Sequence, residues 1–224
     1  MVHDRVRLVV FDLEGTLLRG HTVCEAIAEG LGRLPRMREL EALPWAQWFS
    51  ARAEMASWYA GHSESHLLAG LTRLTFAPGV HEAVAWLHAR GITTAICSLT
   101  WRFAVAEVAK GLGIPWYVGT DLSPEGHITH FLPEDKPVWT LALARRLGVE
   151  ARCVAAVGDS AGDIPLLQAV PVGVFVGATV PPPLAGKVVH LPGADIRDVA
   201  RRLVAVEVGG SADEPPPLVS GDPR

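Results

Sequence analysis

The chain predicts an α/β fold: a doubly wound, Rossmann-like parallel sheet with an all-helical segment inserted near its start. Three observations carry that expectation. Short apolar runs, Leu8-Val9-Val10-Phe11, Ile92 to Cys97, Cys153 to Val157 and Val172 to Val176, lack the polar alternation of half-exposed strands and suit strands buried on both faces. Helically patterned segments separate these runs, so strands and helices alternate through most of the chain. Several runs also end in polar residues, at the sheet edge where open α/β folds place their ligands.

Composition agrees with a globular rather than a disordered chain. The 224 residues are 49% hydrophobic and 20% charged, enough to bury one sizeable domain or a core with a smaller insert. A formal net charge of -4 supplies no basic field, so nucleic acid is not an expected partner. Cys24, Cys97 and Cys153 are far apart and lack paired-ligand spacing, which argues against a disulfide framework or a zinc site and for a reducing cytoplasm. The N-terminal apolar run is short and ends in acids, so neither a signal peptide nor a membrane span is expected.

In chain order, the first strand stops at Asp12 and Glu14, and Gly15 lets the chain turn away. Thr22 caps a helix to about Leu31, and Pro35 and Pro44 punctuate the next stretch. Apolar residues recur at helical spacing over 45–60 and 63–74, and the Trp48, Met55, Trp58 and Tyr59 stripe is read as the insert's own core. Pro78-Gly79 marks re-entry into the α/β pattern. A helix to Arg90, a strand over 92–98, a helix over 101–111 and a short strand over 114–119 come next, then a hairpin within 121–131. Pro137 suits the first turn of a helix to about Leu147. A strand over 153–157, a helix over 164–169, strands at 172–176 and 188–190 and a closing helix over 195–206 complete the order. The expected division is a core of residues 1–16 and 76–208, a helical cap of 17–75, and a disordered proline-rich tail of 209–224.

In such a sheet the polar strand ends converge on one crevice, bringing together Asp12, Glu14, Ser98, Lys136, Asp159 and Asp163. That set suits a phosphate monoester with a divalent metal. A carboxylate can attack phosphorus, and Mg2+ prefers carboxylate, water and phosphate oxygens. Lys136 and the Ser98 loop can neutralise or bond phosphoryl oxygens, while Glu14 can protonate the leaving oxygen and later activate water. Other readings remain for single residues. Ser98 alone fits a strand-end cap equally well, and Lys136 beside Glu134 and Asp135 fits a solvated loop. His62 and His66 have i, i+4 spacing without the acid of an H-E-x-x-H site, so they read as an exposed helix face. Cys97 borders the crevice and is a candidate oxidation liability.

The motifs F-D-L-E-G-T, I-C-S, the Lys136 segment and G-D-S-A-G-D stand in an order that resembles the haloacid dehalogenase superfamily, most of all its phosphoserine phosphatase-like branch. The resemblance spans most of the chain. It implies a phosphatase with Asp12 as nucleophile, Glu14 as acid and base, and Ser98, with the N–H groups around Leu99, and Lys136 as phosphate binders. The candidate metal ligands are Asp12, Glu14, Asp159 and Asp163, with Mg2+ as cofactor.

Four departures bear on the substrate. Glu14 stands where the family usually has Asp. Leu99-Thr100 follow the motif serine in place of two glycines, and Gly162 replaces a common Asn. His21 stands near the position of a Glu that reads a substrate ammonium. Arg73, or alternatively Arg52, is the candidate for reading a substrate carboxylate, with His21 and Met55 beside it. The expected activity is Mg2+-dependent hydrolysis of a small phosphorylated metabolite, without a membrane partner. The alternatives are a phosphotransferase or mutase, and a non-catalytic phospho-ligand binder.

Overall fold

A computed structural model describes residues 5–205. The expected tail at 209–224 lies outside the described residues. At the centre of a seven-stranded sheet is β1 (Leu8–Phe11), every residue of which is buried. Its alternation feeds two cores. Val9 and Phe11 join the cluster on one face, Leu8 and Val10 the cluster on the other, so an all-apolar strand is what a sheet covered on both sides requires.

One flank of β1 carries β4 (Thr93–Trp101), β5 (Trp116–Leu122) and β6 (Ile128–Thr129); the other carries β7 (Val154–Gly158), β8 (Val172–Phe175) and β9 (Val189–His190). All neighbours pair in parallel except β5 with β6, the expected hairpin. The helices α5 (Val80–His88), α6 (Arg102–Leu112), α7 (Asp135–Arg146), α8 (Ile164–Ala169) and α9 (Ile196–Ala205) link or close these strands. Since β4 and β7 both flank β1, the carboxyl end of β1 lies at the point where the strand order reverses.

Between β1 and α5 the chain makes a helical insert. Its ends are tied by a small antiparallel pair, β2 (Leu18–Arg19) with β3 (Thr75–Phe76). Helix α1 (Val23–Gly30) begins at Thr22, whose side chain accepts from Glu25 N while the Glu25 carboxylate accepts from Thr22 N, a complete capping box. Helix α2 (Leu34–Glu41) departs from expectation, because Pro35 reads as punctuation. The proline occupies the first turn instead, where a missing N–H costs nothing. A 3-10 turn, Trp45–Gln47, leads into α3 (Trp48–Tyr59), and α4 (Glu64–Leu68) runs into the 3-10 turn Ala69–Arg73. Gly70 lets that turn press on α1: a Cβ there would lie 2.4 Å from the Ala26 carbonyl oxygen.

The aromatic stripe divides between two tasks. Met55, Trp58 and Tyr59 are buried, but in a cluster shared with the sheet rather than a core of the insert's own: Tyr59 meets Trp101 and Phe103 edge-on. Trp48 is half-buried and Trp45 is 54% exposed, their rings stacked at 4.2 Å on the wall of a cavity. No helix among the described residues is long and apolar enough to cross a membrane.

Candidate active site

The carboxyl ends of β1, β4 and β7 deliver the polar residues to one place. Asp12 follows β1 directly and is only 6% exposed. Lys136 projects from the first turn of α7, not from a solvated loop, and is 1% exposed. Its Nζ donates to Asp12 Oδ1 at 2.7 Å and to Asp163 Oδ1 at 2.6 Å, so one ammonium bridges two carboxylates. Burial works against the Lys136 charge, but Asp12 and Asp163 outweigh it and hold the ammonium well above its usual range.

Asp163 is fully buried and heavily bonded. Its Oδ2 accepts from Asp159 N, Ser160 N and Ser160 Oγ at 3.1, 3.1 and 3.2 Å. Asp159, just beyond β7, accepts from Thr16 Oγ1 at 3.3 Å. Burial first, and then the charge of Asp163, push the Asp159 carboxyl up to about 6. Asp12 is raised by the same two causes, against the pull of Lys136.

One ligand atom from each of Asp12, Asp159 and Asp163 lies within 4.8 Å of the others. Three clustered carboxylates with one ammonium leave negative charge uncompensated, and their hard oxygens are the donors Mg2+ prefers. The residues therefore fit a divalent cation. Asp12 and Asp159 are the better direct ligands, since Asp163 already satisfies both oxygens with protein donors.

Glu14 does not join that cluster with its side chain. Its Oε1 accepts from Val23 N at 2.8 Å, at the start of α1, so the extra methylene carries the carboxylate towards the insert. Burial pushes this carboxyl up to about 7, and a carboxyl in that range can carry a proton near neutral pH. Ser98 is 1% exposed, and its Oγ accepts from Thr100 N at 3.2 Å.

A cavity of about 380 Å³ is lined by Asp12, Glu14, Ser98, Lys136 and Asp159 among others. Glu14, Leu99 and Ser160 also line an adjoining cavity of about 240 Å³, walled by Cys24, Arg52, Met55 and the tryptophans. A larger cavity of about 430 Å³, between the α3–α4 turn and the β5–β6 hairpin, contains none of the clustered groups.

Two specificity residues expected from sequence lie elsewhere. Arg73 ion-pairs with Glu29 at 3.2 Å on a half-exposed surface and lines neither adjoining cavity. Arg52, the alternative, is the arginine at the site: α3 turns it inward whereas the 3-10 turn carrying Arg73 faces α1. His21 is half-buried beside Glu25. Burial raises that carboxyl, but Arg38, the Thr22 N–H and nearby His21 more than offset it. His21 lines neither cavity.

Leu99 does line both cavities, and its departure from glycine is linked to that of Gly162. A Cβ at 162 would stand 3.2 Å from Leu99 Cδ1, so a small residue there makes room for a large one opposite. Cys97 is fully buried, and burial pushes its thiol up to about 12, which leaves it a poor nucleophile rather than an oxidation liability. No motif marks Trp45, Trp48 or Glu41 as site residues. Only the fold of the insert shows that they wall the second cavity.

A sheet with a helical insert after its central strand, and a lysine-bridged carboxylate cluster at the switch point, define the class: this chain belongs to the haloacid dehalogenase-like hydrolases, whose family model matches residues 9–168. Among individual proteins, it is 28% identical over 185 residues to a phosphoserine phosphatase of Albidiferax ferrireducens, covering 72% of this chain and 75% of that one. Its fold is shared with a HAD family hydrolase of Salmonella enterica serovar Typhi (TM-score 0.74, 19% identity, 89% of this chain and 72% of that one). It is shared also with a phospho-aspartyl intermediate analogue of phosphoserine phosphatase (TM-score 0.71, 20% identity, 88% of this chain and 99% of that one).

Proposed function

We propose that the chain is a Mg2+-dependent phosphatase that hydrolyses a small phosphate monoester through phosphorylated Asp12. The observation that carries this is the bridge from Lys136 to Asp12 and Asp163, which pins one oxygen of a buried carboxylate at the sheet's switch point. A free Asp12 oxygen attacks phosphorus, and the bond to the ester oxygen breaks. Glu14, protonated through burial, gives that oxygen its proton, and the alcohol leaves. The Glu14 carboxylate then takes a proton from water, whose oxygen attacks the phosphoryl group and restores Asp12. Ser98, Lys136 and the N–H groups of the Ser98 loop hold the phosphoryl oxygens throughout. Bound at Asp12 and Asp159, Mg2+ would neutralise phosphate charge and orient it. The helical insert covers the leaving group with Met55, Trp48 and Arg52 and keeps bulk water out.

The relative named as a phosphoserine phosphatase supports a small phosphorylated metabolite as substrate, and the three free cysteines fit a reducing cytoplasm. Phosphoserine itself is disfavoured because His21, near the position of an ammonium-reading Glu, offers no carboxylate and lines neither cavity. Asp12→Asn, or removal of metal by EDTA, is expected to lower turnover of p-nitrophenyl phosphate by at least about 1,000-fold, as loss of a nucleophile does. Retention of near-native activity after either treatment refutes the mechanism.

A further inference from the structure

Arg52 is unusually placed for a residue that reads substrate. It lies on α3 of the insert, is 4% exposed, and stacks its guanidinium 3.5 Å over the Trp48 ring, with Trp101 at 5.6 Å on the core side. Each terminal nitrogen donates one N–H to the core, one to Thr120 Oγ1 and the other to the Leu99 carbonyl oxygen. Thr120 Oγ1 also donates to Leu99 O at 3.0 Å and accepts from Phe131 N at 3.1 Å.

The register explains why that carbonyl needs donors. β4 and β5 pair at Cys97 with Val118 and next at Trp101 with Thr120, so three residues of β4, Ser98 to Thr100, bulge out where β5 spends one. A bulge leaves backbone groups outside the ladder and re-aims side chains. The Leu99–Thr100 peptide is therefore fixed at its two ends by side chains. Its carbonyl faces Arg52 and Thr120, and its N–H donates to Ser98 Oγ. With Ser98 Oγ accepting from behind, the hydroxyl hydrogen is free to donate towards the cavity that holds Asp12.

We infer that Arg52 is a positioning residue which fastens the helical insert to the Ser98–Thr100 bulge and so sets the phosphate-binding geometry. This rests on the phosphatase reading above. The relay passes from α3 through one peptide plane to Ser98, so substrates without any carboxylate depend on Arg52 as well.

The test compares wild type, Arg52→Gln, Arg52→Lys and Thr120→Val on p-nitrophenyl phosphate and O-phosphoethanolamine, neither of which carries a carboxylate, and on O-phosphoserine, which does. Arg52→Gln is expected to lower kcat on both carboxylate-free esters by on the order of 100-fold, the scale of a misplaced binding group. Thr120→Val, which leaves the arginine in place, is expected to lower kcat about tenfold. The inhibition constant of inorganic phosphate should rise in step with both losses, a readout that lowered stability alone does not move. Arg52→Lys keeps the charge but not the fork, and should recover little.

Native kcat on p-nitrophenyl phosphate in Arg52→Gln, or a loss confined to phosphoserine, overturns the inference. Should Arg52→Gln fail to fold by circular dichroism, Thr120→Val decides alone, native kcat and phosphate inhibition refuting it. If wild type with Mg2+ turns over none of the three esters, the phosphatase reading fails first.

Discussion

At Gly15 backbone conformation and chemistry are bound together. Its φ is +76°, and a Cβ built there would stand 2.0 Å from Asp159 Oδ2. The turn after β1 thus passes so close to the β7 loop that only glycine lets Asp159 sit beside Asp12. Gly15→Ala is expected to cost about 1–2 kcal/mol for the left-handed conformation alone. It should also raise the Mg2+ concentration needed for half-maximal activity at least about tenfold, because Asp159 must retreat. Thermal melting and a Mg2+ titration of ester hydrolysis measure the two, and an unchanged Mg2+ requirement counts against Asp159 as a ligand. Residues of this kind are legible from sequence, since F-D-L-E-G-T and G-D-S-A-G-D carry their spacing locally. Arg52 and Arg73 are not: both lie on a helical insert, and a helix rotation invisible in the motif decides which of them points inward.

At the scale of elements, β1 decides most. Phe11 is fully buried and belongs to the larger core cluster, with Asp12 directly after it. Phe11→Ala is expected to destabilise the protein by about 3–5 kcal/mol, the range for deleting a core aromatic. Chemical denaturation followed by circular dichroism checks the value, and a loss below about 1 kcal/mol contradicts the central place of this strand. The strands and core helices are readable in advance because buried runs and helical periods are local signals. Helix α2 is not, because Pro35 at its start has the same look as a proline that ends a helix. The β4 bulge is hidden too. It depends on how Cys97 and Trp101 pair with β5, which only the assembled sheet reveals.

On the scale of the molecule, the fold gathers more negative charge than it neutralises. Asp12, Asp159 and Asp163 converge from β1 and the β7 loop, and Lys136 bridges only two of them. Without metal, Asp159 binds its proton more tightly folded, at about 6, than at its ordinary 3.8. The folded state then holds more protons than the unfolded chain between these values, so stability falls as pH rises through that window and levels off above it. Asp159→Asn removes this contribution. In EDTA the variant should therefore gain on the wild type between about pH 4 and pH 6, by about 1–3 kcal/mol at most.

Mg2+ is expected to reverse the comparison. At a hundredfold excess over its dissociation constant a ligand that binds only the folded state adds about 2.7 kcal/mol, which the wild type should gain and Asp159→Asn should largely forgo. Melting curves of both proteins, with EDTA and with Mg2+ across that pH range, give the crossover directly. Parallel curves would mean that the cluster neither suffers from its crowding nor uses it to hold a cation.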